Sequence, residues 1–295
     1  MTLPLFDIGD ISVARIEEVA GPWFEPRRLI PDWDDAALTP HRHWLESGHL
    51  DPASGFLCVS FHSWLLRTRN RTILVDTCCG NDKERPAVER FHRKQRPWLE
   101  RLAAAGVAPE QVDLVMCTHL HIDHVGWNTR LENGRWVPTF PNARYLFSRA
   151  DRQYWDPATG LRTMDALNDG VFNDSVLPVI EAGQADLVDG IAELADGMMM
   201  HPAPGHTPGN MILKTASRGV SGIFAGDCIH HPMQAYRPDW NASVDEDPAL
   251  AHRTRVALLE ECAERHSLLL PGHFAAPHAA YVRRDGDGFA LELPR

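Results

Sequence analysis

Within the eleven residues Thr118–Asn128, THLHIDHVGWN, stand His119, His121, Asp123 and His124. Imidazoles and carboxylates are costly to bury unless something pairs with them, and a neutral imidazole is among the commonest ligands of a divalent ion. His119 and His121 alternate by two, as on a strand, but Asp123 and His124 follow directly. All four can face one centre only if the backbone turns there, as it would in a loop leaving the carboxyl end of a strand over 113–118.

Three more candidates lie far downstream, each after an apolar run that reads as a strand. They are His206 in APGHTPGN, Asp227 in IFAGDCIHH and His273 in LLLPGHF, and each follows a glycine that lets the backbone approach a crowded centre. Together the seven positions His119, His121, Asp123, His124, His206, Asp227 and His273 make a set of nitrogen and oxygen donors without a thiolate. Such a set suits two divalent ions, zinc first, with manganese, iron or cobalt as alternatives. Two ions about 3.5–4 Å apart can share a water and lower its pKa towards about 7, giving a hydroxide nucleophile at neutral pH.

The elements that must position these residues are short. FLCVSFHSWLLRT (56–68) and RTILVDT (71–77) read as paired strands around an RNR turn, and DLVMCTH (113–119) and ARYLFS (143–148) as further strands. PAVERFHRKQRPWLERLAAAG (86–106) reads as a helix kinked at Pro97 and ended by Gly106. RADRQYW begins another helix, and 172–183 is expected to be helical around its proline. ADGMMMHPAPG, NMILKTA and SGIFAGD read as three successive strands, SLLLPGH as a last core strand, and the chain closes on a hairpin. The firmest helix spans 247–266, with Asp247 as N-cap, Pro248 in the first position and apolar residues at helical spacing. Strands and helices interleave while several strand pairs share tight turns, which predicts a layered α/β fold with mixed sheets. The whole chain, 1–295, is expected to form one domain. Segment 21–55 is an excursion that keeps no period but carries Trp23, Phe24, Trp33 and Trp44, so it is expected to be ordered, as a lid over a pocket or a contact with a second copy of the chain.

The order H-x-H-x-D-H, then His, then Asp, then His, resembles the metallo-β-lactamase superfamily of metal-dependent hydrolases over roughly residues 56–275, and ILVDTCCG matches the strand and turn that precede the motif there. The resemblance implies a four-layer αβ/βα sandwich with two mixed β-sheets and the site at their edge. It implies that His119, His121 and His206 hold one metal, that Asp123, His124 and His273 hold the other, that Asp227 bridges them, and that Asp76 steadies the metal loop from behind. The oxygen-reducing di-iron members carry Glu where this chain has His121, which points to hydrolysis. The pattern is closest to the acyl-homoserine lactonase and organophosphate hydrolase branches. The lactonases place a tyrosine three residues after the bridging aspartate, where this chain has His230 followed by His231. His230 is therefore expected to join Asp123 and Asp227 in catalysis as a hydrogen-bond donor or acid, and His231 to buttress the loop. Trp127, Asn128, Met233, Trp240 and Phe274 flank the ligand loops and are the expected pocket wall, which suits a small lactone or carboxylic ester. A phosphotriester or β-lactam hydrolase on the same site, and a metal-binding regulatory domain without turnover, are the other readings.

The formal charge of −11 disfavours a broad nucleic-acid surface; the one dense basic run, ERFHRKQR at 89–96, reads as a solvated face. No run approaches the roughly 20 apolar residues of a membrane helix, and the first residues lack the pattern of a signal peptide. A cytoplasmic location is expected, with no membrane partner. The six cysteines include no C-x-x-C pair and read as free buried thiols, among them Cys228 beside the bridging position.

Overall fold

The computed structural model describes residues 5–162, 166–195 and 197–294. Asp196, inside one of the expected strands, lies outside the described residues.

Sixteen strands appear among the described residues. They are β1 (Phe6–Ile8), β2 (Ile11–Phe24), β3 (Leu57–Arg67), β4 (Thr72–Val75), β5 (Leu114–Met116), β6 (Thr129–Glu132), β7 (Arg135–Pro138), β8 (Arg144–Ser148), β9 (Ala185–Val188), β10 (Ala192–Ala195), β11 (Met198–Pro202), β12 (Met211–Ser217), β13 (Val220–Gly226), β14 (Leu268–Pro271), β15 (Ala280–Asp285) and β16 (Gly288–Glu292). Seven form a first sheet in the order β1-β2-β3-β4-β5-β8-β9, antiparallel up to β4 and parallel beyond it. Seven form a second in sequence order, β10 to β16, antiparallel except for the β13–β14 pair. The hairpin β6–β7 stands apart.

Period-two alternation divides each strand between two cores. Trp64, Leu66, Ile73, Val75 and Met116 of the first sheet meet Met200, Leu213, Phe224 and Leu270 of the second, forming the layer between the sheets. The neighbours Leu65, Leu74, Val115 and Tyr145 point the other way, against Trp98, Leu102 and Val179. On the far side Ile212, Ile223 and Leu269 pack on Leu258, Leu259 and Cys262. The result is the expected αβ/βα sandwich with two mixed sheets.

The helices are α1 (Pro26–Leu29), α2 (Arg42–Leu45), α3 (Trp98–Ala104), α4 (Arg149–Trp155), α5 (Leu177–Glu181), α6 (Met233–Tyr236) and α7 (Pro248–Arg265). α7 follows the sequence reading: Asp247 Oδ1 accepts from Leu250 N at 2.9 Å, Pro248 opens the first turn, and Ala251, Arg255, Leu258, Leu259 and Cys262 form the buried stripe. Residues 172–176 form a π-turn that runs into α5, so the 172–183 segment is helical as expected.

One expected helix is mostly absent. Over 86–106 only α3 is helical. Residues 82–96 fold back on themselves instead, with Arg93 N donating to Lys83 O, Asp82 N to Lys94 O, and Arg96 N to Asn81 Oδ1. Arg93 sits at φ 47°, outside the right-handed region, and the helix begins just after Pro97. The turn is anchored by Arg85, whose guanidinium grips Asp174 with two bonds of 2.7 Å, and by buried Lys83 beside them. Here tertiary ion pairing outweighs helical periodicity.

Segment 21–55 is ordered. Its first residues extend β2, and the rest carries α1, α2 and a 3₁₀ turn over Asp35–Leu38. Leu29, Ile30, Trp33, Leu38, Leu45 and Leu50 pack on Met233, Trp240 and Ala242 as a separate apolar cluster. No helix among the described residues is long and apolar enough to cross a membrane.

Candidate metal centre

The seven candidate ligands converge at the carboxyl ends of the inner strands. His119 to His124 lie on the loop after β5, His206 after β11, Asp227 directly after β13, and His273 after β14. Close approach explains the preceding glycines. A Cβ on Gly272 would stand 2.9 Å from Asp227 Oδ1, and one on Gly226, at φ +49°, would stand 2.7 Å from Thr118 Oγ1.

One group of donors is His119, His121 and His206. His206 Nε2 lies 3.2 Å from His119 Nε2 and 3.0 Å from His121 Nδ1. A second group is Asp123, His124 and His273, with His273 Nε2 3.4 Å from Asp123 Oδ2. Asp227 stands between them, its Oδ2 3.5 Å from His206 Nε2 and 3.9 Å from His119 Nε2, its Oδ1 3.3 Å from His124 Nε2 and 3.2 Å from His273 Nε2.

The outer ring nitrogens settle where the lone pairs point. Thr118 Oγ1 donates to Asp76 Oδ2, so it accepts from His119 Nδ1 at 3.0 Å. His124 Nδ1 donates to Asp76 Oδ2 at 2.8 Å, His206 Nδ1 to Asp245 Oδ1 at 2.8 Å, and His273 Nδ1 to Ser60 O at 3.3 Å. With those protons spent outward, the inner nitrogens of the neutral rings carry lone pairs aimed at one another and at carboxylate oxygens. They cannot hydrogen-bond among themselves, and His124 Nε2 and Asp227 Oδ1 are buried without a hydrogen-bond partner among the described residues. Converging lone pairs of this kind fit cations, and the donor set fits two divalent ions.

Burial, with the crowding of the other imidazoles, holds His119 and His121 well below the usual histidine value. Burial would also lower His124, but the carboxylates of Asp227, Asp76 and Asp123 outweigh it and lift it well above that value. For Asp227 burial acts upward, and His124, His273 and His230 overcome it, holding the carboxyl well below its usual range. The central carboxylate is thus kept ionised.

Asp76 lies behind the ligand loop. It stands at φ 60°, its Oδ1 accepts from Thr118 N at 2.7 Å, and its Oδ2 holds His124. Three further buried carboxylates escaped the sequence reading. Asp245 orients His206 and takes Arg255 and Ala242 N on its other oxygen. Asp151 accepts from Leu120 N, Thr207 Oγ1 and Gly209 N, tying the β5 loop to the His206 loop, and burial raises it to about 6. Glu18 accepts from Trp127 Nε1, Cys79 N and Gly80 N. No spacing rule marks these residues, because their partners are loops remote in sequence.

His230 does reach the centre. Its Nε2 lies 3.1 Å from Asp227 Oδ2, and burial keeps its pKa below the usual value against the opposing charge of Asp227. His231 does not buttress the centre. It faces away, with Nε2 donating to His49 O at 3.2 Å and its ring edge-on to Trp33. Cys228 turns into the core beside Asn210, its thiol pushed up to about 12 by burial.

None of the five residues expected to form the pocket wall lines the cavity over the candidate ligands. Trp127 is buried by stacking on Trp98 and hydrogen-bonding Glu18, and Asn128 accepts from Thr77 Oγ1 and donates to Cys117. The 3₁₀ turn Gly126–Asn128 carries both side chains away from the ligands. Met233 and Trp240 sit under segment 21–55, and Phe274 packs in the α7-side core. The cavity over the centre measures about 670 Å³. Its floor is His121, Asp123, Asp227, His230 and His273; its wall includes Trp23, Phe24, Leu29, Phe56, Phe61, Val88, Phe91 and Leu167. Segment 21–55 thus contributes to the pocket wall, through residues that include Trp23, Phe24 and Leu29, with Trp33 packed in the separate cluster.

A search of curated proteins returned no match. Among solved structures, the chain is similar to hydrolase AbOPH of the β-lactamase superfamily (23% identity, 98% of this chain and 96% of that one covered, TM-score 0.80). It is also similar to AidC, a dizinc quorum-quenching lactonase (19%, 98% and 96%, 0.77), and to a probable metal-dependent hydrolase from Staphylococcus aureus (18%, 98% and 100%, 0.73). The family model of the metallo-β-lactamase superfamily matches residues 60–273, from the middle of β3 to the last candidate ligand. The chain belongs to the metallo-β-lactamase superfamily.

Proposed function

We propose that this superfamily hydrolase opens a small lactone or cleaves a carboxylic ester with two divalent ions, zinc by preference. One observation carries the reading: two triads of donors, one of three imidazoles and one of two imidazoles and a carboxylate, flank Asp227 beneath a largely apolar cavity. His119, His121 and His206 would hold one ion, Asp123, His124 and His273 the other, with Asp227 between. When bound, such a pair supplies an acidified water and polarises a substrate oxygen.

The chain's own groups do the rest. The apolar wall binds the body of the substrate and excludes bulk water. His230 lines the cavity as a largely neutral imidazole and can donate a hydrogen bond to a substrate oxygen. AidC, named as a lactonase, shares the fold and supports the substrate class. Metal analysis together with turnover on lactone, ester, phosphotriester and β-lactam panels tests the reading. Metal-replete protein should hold about two ions per chain, and Asp227→Ala should lose both metal and turnover. His230→Ala should keep its metal and lose turnover by about 10²-fold. Full activity in Asp227→Ala, or fewer than one tightly held ion per chain, would sink it.

A further inference from the structure

The lining of the cavity grades from buried to exposed. Its floor histidines are buried, its aromatic wall at Trp23, Phe24 and Phe56 is half-buried, and its exposed members include Arg28 and Arg90. In a protein of net charge −11, many surface arginines lie beside a carboxylate, such as Arg42 with Glu46, Arg149 with Asp189 and Arg237 with Asp239. Arg28 and Arg90 have no carboxylate partner among the described residues.

Both are held in place at the rim. Arg90 lies over the Trp23 ring, 4.6 Å from its centroid, and Nη1 donates to Trp23 O at 2.9 Å, while its other guanidinium N–H groups have no partner among the described residues. Arg28 belongs to α1, whose backbone is pinned to the loop after α6: Ser243 Oγ donates to Arg28 O at 2.7 Å and Ser243 N to Leu29 O at 2.7 Å. The rim carboxylate, Glu25, is spent as the N-cap of α1, accepting from Arg27 N and Arg28 N. The rim therefore offers two cations against one carboxylate that faces backbone, above an apolar wall. An uncharged acyl or aryl chain would need the wall alone.

We propose that Arg28 and Arg90 select substrates whose apolar body ends in an anionic group, with the ester or lactone bond over the candidate ligands and the anion at the rim. The proposal rests on the hydrolase reading above and narrows its substrate class. The two residues are specificity residues, since they lie away from the bond that breaks.

The test compares matched p-nitrophenyl esters on the metal-replete protein: hexanoate, octanoate and decanoate against the half-esters of the corresponding dicarboxylic acids, adipate, suberate and sebacate. At the best chain length the half-ester should win by about fivefold or more in kcat/KM, the sum of two partly exposed ion pairs, and the advantage should shrink with added salt. In the double variant Arg28→Gln, Arg90→Gln the ratio should collapse towards one. The anilides of the same acids, which bind without needing turnover, should show the same ratio by calorimetry. Equal rates for each matched pair, or equal anilide affinities, overturns the role of the arginines and leaves the hydrolase reading standing. Absence of turnover on every ester overturns the hydrolase reading, and the anilide ratio then decides the arginines separately.

Discussion

Two groups of buried histidines lie close together in this protein and differ in one respect. His119, His121, His124, His206 and His273 surround carboxylates: Asp227 stands among them, and Asp76 and Asp245 hold two of them from outside. The second group, His49, His62, His231 and His278, has none within hydrogen-bond reach among the described residues. Its members contact one another and aromatic rings, His49 edge-on to His231 and Phe274, His62 against Trp64 and His278. Their hydrogen bonds go to neutral groups, namely His62 Nδ1 to Ser60 Oγ, His231 to His49 O and His278 to Phe274 O. Burial is the same in both groups, so burial alone does not make a metal site. What separates them is fixed negative charge, which pays the cost of gathering cations in one and is missing in the other.

The largest consequence is acid sensitivity of the second group. Burial, with the other imidazoles adding to it, lowers His49 to about 4 and His231 to about 3, and burial with the charge of Arg15 lowers His278 to about 4. Above pH 6.5 these rings are neutral whether the chain is folded or not, and they cost nothing. Between pH 6.5 and about 4 the unfolded chain takes up protons that the folded chain refuses, so stability falls as pH falls. His49 and His278 should each forfeit about 3 kcal/mol by the lower end of that window. Urea unfolding of chelated protein at pH 7, 6 and 5 reads this without a contribution from metal release. His49→Phe should flatten the curve, and an unchanged pH slope would show that the two groups titrate alike.

A smaller effect tests the first group. Asp245→Asn keeps the volume behind His206 but removes the charge that fixes its tautomer and its partner Arg255. Metal affinity should drop about 10- to 100-fold while the fold survives. The same exchange at Asp76 should act on His124 and on the other ion. Competition with a chromogenic chelator measures both. If neither changes affinity, carboxylates at the outer nitrogens are not what distinguishes these histidines.

The seven candidate ligands were legible in the sequence because their chemistry is local in pattern even where it is remote in space. Four of them, His119, His121, Asp123 and His124, fall within six positions, and the other three each follow a strand and a glycine. The sheets were legible wherever apolar runs are bounded by turns, as in β3, β4 and β11 to β14, and α7 announces itself with Asp247 and Pro248. The failures have physical causes. Trp127 sits three residues after His124, yet a 3₁₀ turn rotates it onto Trp98, so adjacency in sequence misassigned the pocket. The wall comes instead from residues such as Trp23 and Phe91, whose contact, with rings stacked at 5.6 Å, no periodicity foretells. The helix over 86–97 was lost to the Arg85–Asp174 ion pair, and Asp245 had no signal because its partner His206 is 39 residues away.

The finest test lies where the two groups touch in sequence. His230 and His231 are neighbours, but the backbone turns between them: His230 Nε2 reaches Asp227, and His231 Nε2 reaches His49 O. Gln234 Oε1 accepts from both backbone N–H groups, at 2.7 and 3.1 Å, and so holds the turn whatever the side chains are. His231→Phe therefore removes one hydrogen bond to a carbonyl and the bond from Met233 N to its Nδ1, while keeping an aromatic ring against Trp33. The loss should be about 1 kcal/mol in unfolding free energy at pH 7, with metal content and turnover near those of the parent chain. At pH 5 the sign should reverse, because phenylalanine removes a ring that the fold must keep neutral. Loss of metal in this variant would place His231 back with the ligand loop and dissolve the boundary between the two groups.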